Sequence, residues 1–131
     1  MPKQDADHSD APHLPRSAPI EAYGKGGFAF ADMSHRGSLL CLPNGIWAWP
    51  LTGPEEIDQA SLRLVFEAAD HIDTLIIGTG TGIWLPPPAL REALRAVKIV
   101  LDAMQTGPAI RTYNIMLDER RRVAAALIAV P

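Results

Sequence analysis

The chain has 131 residues, 47% of them hydrophobic, and its 12 Lys and Arg against 15 Asp and Glu give a net charge of −3. That length suits about one domain, and the composition is that of a soluble globular protein. No apolar run approaches the roughly 18 residues that a membrane span needs, and the acidic balance argues against nucleic-acid binding, which relies on many cations neutralising phosphates.

One cysteine, Cys41, leaves no internal disulfide and no cysteine-based zinc site. Within Leu39-Leu40-Cys41-Leu42 it reads as a small buried hydrophobe rather than a reactive thiol. The N-terminus lacks the apolar core of a secretory signal, and Asp5, Asp7 and Asp10 are unlike a mitochondrial presequence. A cytoplasmic protein is expected.

Positions 1–19 mix Asp, His, Ser, Ala and Pro with few large apolar residues. Such a stretch cannot bury enough surface to offset its ordering entropy, so a disordered tail is expected, followed by a single domain over 20–131. His8 and His13 could hold a metal with the nearby aspartates, but a solvated tail is the favoured reading and no metal site is assigned.

From Ile20 the pattern changes. Positions 20–23 and 28–32 alternate as strands about a turn at 24–27, and 32–37 reads as a turn. Ser38 to Leu42 is an apolar strand, and Pro43-Asn44-Gly45 is a hairpin signal because Asn and Gly accept positive φ. In the partner strand, Ile46 to Trp49, side-chain alternation puts Trp47 and Trp49 on one face, as core or as a groove lining.

Thr52-Gly53-Pro54-Glu55 fits a capping box before a helix over 58–69, whose inward stripe is Leu62, Val65, Phe66 and Ala69. Asp73 to Ile77 reads as a central strand covered on both faces. Gly78-Thr79-Gly80-Thr81-Gly82 follows, then prolines 86–88 suited to a first helical turn and an apolar stripe of Leu90, Leu94 and Val97. Lys98 to Leu101 reads as a second buried strand, completing a right-handed parallel βαβ unit. Thr106 is a good N-cap for a helix to about Leu117, with Ile110, Tyr113 or Asn114, and Leu117 facing inward. A turn at 118–121 leads to a last apolar strand, Val123 to Val130.

The sequence resembles the Mth938-like domain family (DUF498) over about 20–130. The resemblance is carried by Leu75-Ile76-Ile77-Gly78-Thr79-Gly80, Pro86-Pro87, Met104, Thr106, Ala109, Arg111-Thr112-Tyr113-Asn114, Glu119, Arg121 and the closing strand. It implies a three-layer α/β domain with a mixed central sheet, flanking helices and a small N-terminal antiparallel β layer. The family includes a factor for assembly of mitochondrial respiratory complex I, which works with another assembly protein. By analogy, the resemblance implies a protein partner and a place at the periphery of the inner membrane, with no transmembrane segment. For bacterial members it brings no settled reaction, cofactor or catalytic residue.

The glycine loop suggests a phosphate cradle, and Asp102 lies about where a ribose-binding acid would in a dinucleotide site. The spacing is G-x-G-x-G rather than G-x-G-x-x-G, however, and three prolines occupy the expected donor positions without a Walker lysine. A structural turn is the favoured reading, and no cofactor is expected. The other candidate is the start of the helix at Thr106, where the dipole favours anions and Arg111 could clamp one. A ligand site would then comprise Gly78, Thr79, Gly80, Thr81, Gly82, Thr106, Arg111, Tyr113 and Asn114. The structural alternative pairs Arg111 with Asp118 or Glu119 and buries Tyr113. Arg120-Arg121-Arg122 reads as a solvated turn, with an acidic or lipid partner as the alternative. No nucleophile triad, HExxH motif or carboxylate pair stands out, so no catalytic residue is assigned. An interaction or assembly protein is preferred over a small-ligand domain, possible enzymes included.

Overall fold

The computed structural model describes residues 11–131. Its centre is a five-stranded mixed sheet in the order β5-β4-β8-β6-β7, beside a three-stranded antiparallel sheet β1-β2-β3. The small sheet comprises β1 (Ala22–Gly24), β2 (Gly27–Phe30) and β3 (Met33–Arg36). The large one comprises β4 (Ser38–Leu42), β5 (Gly45–Trp49), β6 (Thr74–Gly78), β7 (Val100–Met104) and β8 (Val123–Leu127). The helices are α1 (Arg63–Glu67), α2 (Pro88–Ala96) and α3 (Thr106–Asp118).

β6 lies parallel to both β7 and β8, whereas β4 is antiparallel to β5 and β8. Alternation along these strands divides the interior. Leu40, Leu42, Trp47, Trp49, Leu75, Ile77, Ala124 and Ala126 face α1 and α2. Leu39, Cys41, Ile46, Ile76, Val123, Ala125 and Leu127 face α3 and the small sheet, with Phe28, Phe30 and Tyr113 among them. The three layers expected from the resemblance are present, and Trp47 and Trp49 lie in the core on one face as alternation requires. Cys41 is fully buried, and burial pushes its thiol pKa up to about 12.

Several local expectations need correction. Positions 32–37 contain strand β3, not only a turn. Ala31 and Asp32 take positive φ and make a two-residue hairpin between Phe30 and Met33. The hairpin at Pro43-Asn44-Gly45 forms, but without positive φ at Asn44 or Gly45. Gly45 serves close approach instead, since a Cβ there would lie 2.8 Å from the Leu14 carbonyl oxygen. The helix expected over 58–69 breaks into a 3₁₀ turn, the short α1 and another 3₁₀ turn. The capping box forms on a separate 3₁₀ turn, Pro54–Glu56, with Glu56 rather than Glu55 as its acid. The Glu56 carboxylate accepts from the Thr52 and Gly53 backbone N–H groups, and the first of these bonds chiefly lowers its pKa.

The second strand of the βαβ unit starts later than expected, at Val100, and forms a sheet edge rather than a buried strand. Lys98 at φ 65° turns the chain out of α2, and the Ile99 N–H still bonds back to Leu94. Val97, expected inside, is partly exposed. Of the tail, positions 1–10 lie outside the described residues, including His8 and its aspartates. The expectation of disorder does not hold over 13–18. The His13 N–H donates to Ile46 O, the Ile46 N–H donates to Leu14 O, and Ala18 is buried. This arm lies against β5, and His13 packs on His35 with ring centroids 4.7 Å apart.

Candidate functional site

The glycine loop leaves β6 at the carboxyl end of the parallel strands and meets the start of α3, as the βαβ reading requires. Thr106, at the first turn of α3, is fully buried. Its hydroxyl donates to Ile128 O at 2.7 Å and accepts from the Gly80 N–H at 2.9 Å. The Thr106 N–H donates to Gly80 O, and the Thr79 N–H to Met104 O. Gln105, which takes the N-cap position expected for Thr106, donates through Nε2 to Thr81 O. The Thr79 hydroxyl closes the loop on Gly82 O at 2.6 Å. A Cβ at Gly78 would sit 3.0 Å from the Thr106 hydroxyl and 3.1 Å from its Cα, so any larger residue at this point of the central strand would require α3 to give way slightly.

The polar groups of Gly80 and Thr106 are therefore spent on each other and on Ile128, just past β8. What remains beside the loop is a shallow hollow of about 260 Å³ lined by Thr79 to Ile83, Thr52, Pro54 and Ile128 to Pro131. Arg111, Tyr113 and Asn114 do not line it. Tyr113 is buried, with its hydroxyl donating to Ala18 O, and burial raises its pKa. Asn114 pairs with the backbone of Ile20 in both directions, at 2.8 and 2.9 Å. Both side chains hold the arm. Arg111 is exposed on the outer flank of α3 and has no hydrogen bond or ion pair among the described residues. Glu119 meets Arg121 loosely at 3.8 Å, while Arg122 pairs with Asp73 at 2.7 Å. That bond lowers the Asp73 pKa and raises that of Arg122.

Two features escaped the sequence. Trp84 packs on the core and Pro86 is buried, so the alternating neighbours Ile83 and Leu85 point outward, 89% and 81% exposed. A larger cavity of about 610 Å³ lies among Trp49, Leu51, Leu64, Ser38 and His35. Its walls come from separate elements, so no linear pattern announces it. Among the described residues, no group of three or more His, Cys, Asp or Glu side chains comes together to hold a metal.

Residues 20–128 match the family described as a protein of unknown function (DUF498/DUF598). The chain belongs to that family. It is 38% identical over 120 residues to an uncharacterised protein of Rhodobacter capsulatus, covering 92% of this chain and 91% of that one. Over 114 residues it is 34% identical to the NADH dehydrogenase (ubiquinone) 1 alpha subcomplex assembly factor 3 of Drosophila melanogaster. That match covers 83% of this chain but only 57% of the assembly factor. Among solved structures, a Rhodopseudomonas palustris protein is 67% identical with TM-score 0.81, covering 96% of this chain and 93% of that one. A protein described as an outer membrane protein of Bartonella henselae is 50% identical with TM-score 0.88, covering 91% and 100%. A Mth938-like domain of Bordetella pertussis is 25% identical with TM-score 0.76, covering 86% and 87%. The DUF498 fold is thus that of the Mth938-like domains, as the resemblance implied.

Proposed function

We propose that this DUF498 protein is an interaction factor that binds a protein partner during assembly of a membrane respiratory complex. The observation that carries this reading is the likeness to NADH dehydrogenase assembly factor 3: the match to the Drosophila protein covers 83% of this chain and 57% of that one. Two nearly fully exposed aliphatic side chains, Ile83 and Leu85, add apolar surface of the sort partners cover. No helix among the described residues is long and apolar enough to cross a membrane. Contact with a membrane complex would then be peripheral, from the cytoplasmic side of the inner membrane.

The test is affinity purification of the tagged protein from its own cells at native level in mild detergent, with the bound proteins identified. Reproducible recovery of respiratory-complex subunits or their assembly proteins is the expected result; recovery of the protein alone sinks the reading. The hollow beside the glycine loop favours a second reading, a small-ligand or anion-binding domain. Titration with inorganic phosphate would move the amide signals of Thr81 to Ile83 if that reading holds.

A further inference from the structure

The five-stranded sheet has two edges, and the molecule treats them differently. At β5, the arm supplies backbone bonds between His13, Leu14 and Ile46. At β7, no further strand is present among the described residues. A parallel strand bonds its neighbour through alternate residues. The Val100 N–H donates to Asp73 O, and Met104 O accepts from the Thr79 N–H, so Val100, Asp102 and Met104 turn their backbone groups toward β6. The backbone N–H and C=O groups of Leu101 and Ala103 therefore point away from the sheet.

An open edge of this kind is ordinarily blunted by proline, a bulge or charged side chains, lysine above all. The strand Val-Leu-Asp-Ala-Met has no proline or lysine, carries Asp102 as its single charge and pairs in unbroken register with β6. Instead it is flanked by apolar surface. Val100 is 64% exposed on the α3 side, and α3 carries Ile115, 54% exposed, back along the strand from the contact of Thr112 with Met104. Backbone valence and side chains together specify an extended segment with apolar residues alternating along it.

Charge selects between a second copy and a different protein. Asp102 is exposed at the middle of β7 and has no ion-pair or hydrogen-bond partner among the described residues. Two copies paired antiparallel about the strand centre would set Asp102 against Asp102, a destabilising cross-strand pair. A strand with Arg or Lys at that position would gain one instead. We infer that the β7 edge receives an extended segment of a different protein, added as a further strand with a basic residue opposite Asp102. This rests on the interaction reading above and names the surface that serves it.

The purification described above tests the inference when run in parallel on Ala103→Pro and Asp102→Arg. Proline at 103 removes an outward N–H that bonds nothing within the sheet, and an edge strand tolerates it. Asp102→Arg leaves the backbone intact and reverses the charge. Both variants should keep the native amide spectrum and recover the partner at least tenfold less well, whereas Arg91→Ala on α2 should recover it fully. Hydrogen exchange at Leu101 and Ala103 should be fast in the free protein and slow in the complex. Undiminished recovery with both variants overturns the edge assignment while leaving the interaction reading intact, as does unchanged exchange. Recovery of no partner by the unaltered protein overturns both. A concentration-dependent dimer lost in Ala103→Pro overturns the assignment to a different protein, because the occupant is then a second copy.

Discussion

The two flanks of α3 are made from one short run of sequence and do opposite things. On the inner flank, Thr106, Tyr113 and Asn114 spend every polar side-chain atom on the glycine loop, on Ile128 and on the arm. On the outer flank, Arg111 makes no hydrogen bond or ion pair among the described residues and Ile115 is half exposed. A stretch that reads as one motif, Arg-Thr-Tyr-Asn, is split by the 100° step of the helix into structure and surface. Chemical suitability for a ligand is therefore a poor guide within such a motif. What decides is which way each residue's turn of the helix faces.

The contrast can be broken most directly at Thr106. Thr106→Val keeps the shape but leaves the Gly80 N–H and Ile128 C=O buried without partners, at about 1–3 kcal/mol each. Chemical denaturation should show a loss of about 3 kcal/mol. Asn114→Ala frees the backbone of Ile20 and should cost about 2 kcal/mol, with faster amide exchange confined at first to the arm. A stability change as large at Arg111→Ala would erase the distinction between flanks. That substitution should stay within about 0.5 kcal/mol, as surface changes usually do.

A weaker effect, between those extremes, concerns the arm and pH. Burial, helped by the charge of His13, lowers the His35 pKa below its ordinary value. The neutral form is thus favoured in the folded state. Stability is fully present above the unfolded value of about 6.5 and is lost as pH falls below it toward the folded pKa. Melting temperature should drop across that window, and His35→Gln should flatten the dependence.

Much of the fold was legible because it is local or periodic. The parallel pair joined through α2 and the inward stripe of α3 follow from spacing, whereas the hairpin at 43–45 forms at the expected place without the positive φ that suggested it. The misses were of another kind. Strand β3 was hidden because Ala31 and Asp32, neither of them glycine, adopt the left-handed conformation that closes its hairpin. The arm was invisible because Ala18 and Ile20 find their partners, Tyr113 and Asn114, 95 and 94 residues further along the chain. In the candidate site, strand topology foretold the meeting of the glycine loop with Thr106. The separation of Arg111 from both depends on helical phase and on what α3 packs against.

Cys41 gives the molecule an internal clock. With no accessible surface and a pKa near 12, its sulfur is neither reachable nor ionised in the folded state at neutral pH. An alkylating reagent can therefore capture it only during excursions that part β4 from its neighbours. The rate of iodoacetamide labelling, followed by intact mass, counts those excursions without any engineered probe. Should a bound partner slow that count, its contact would be felt across the sheet from the far edge.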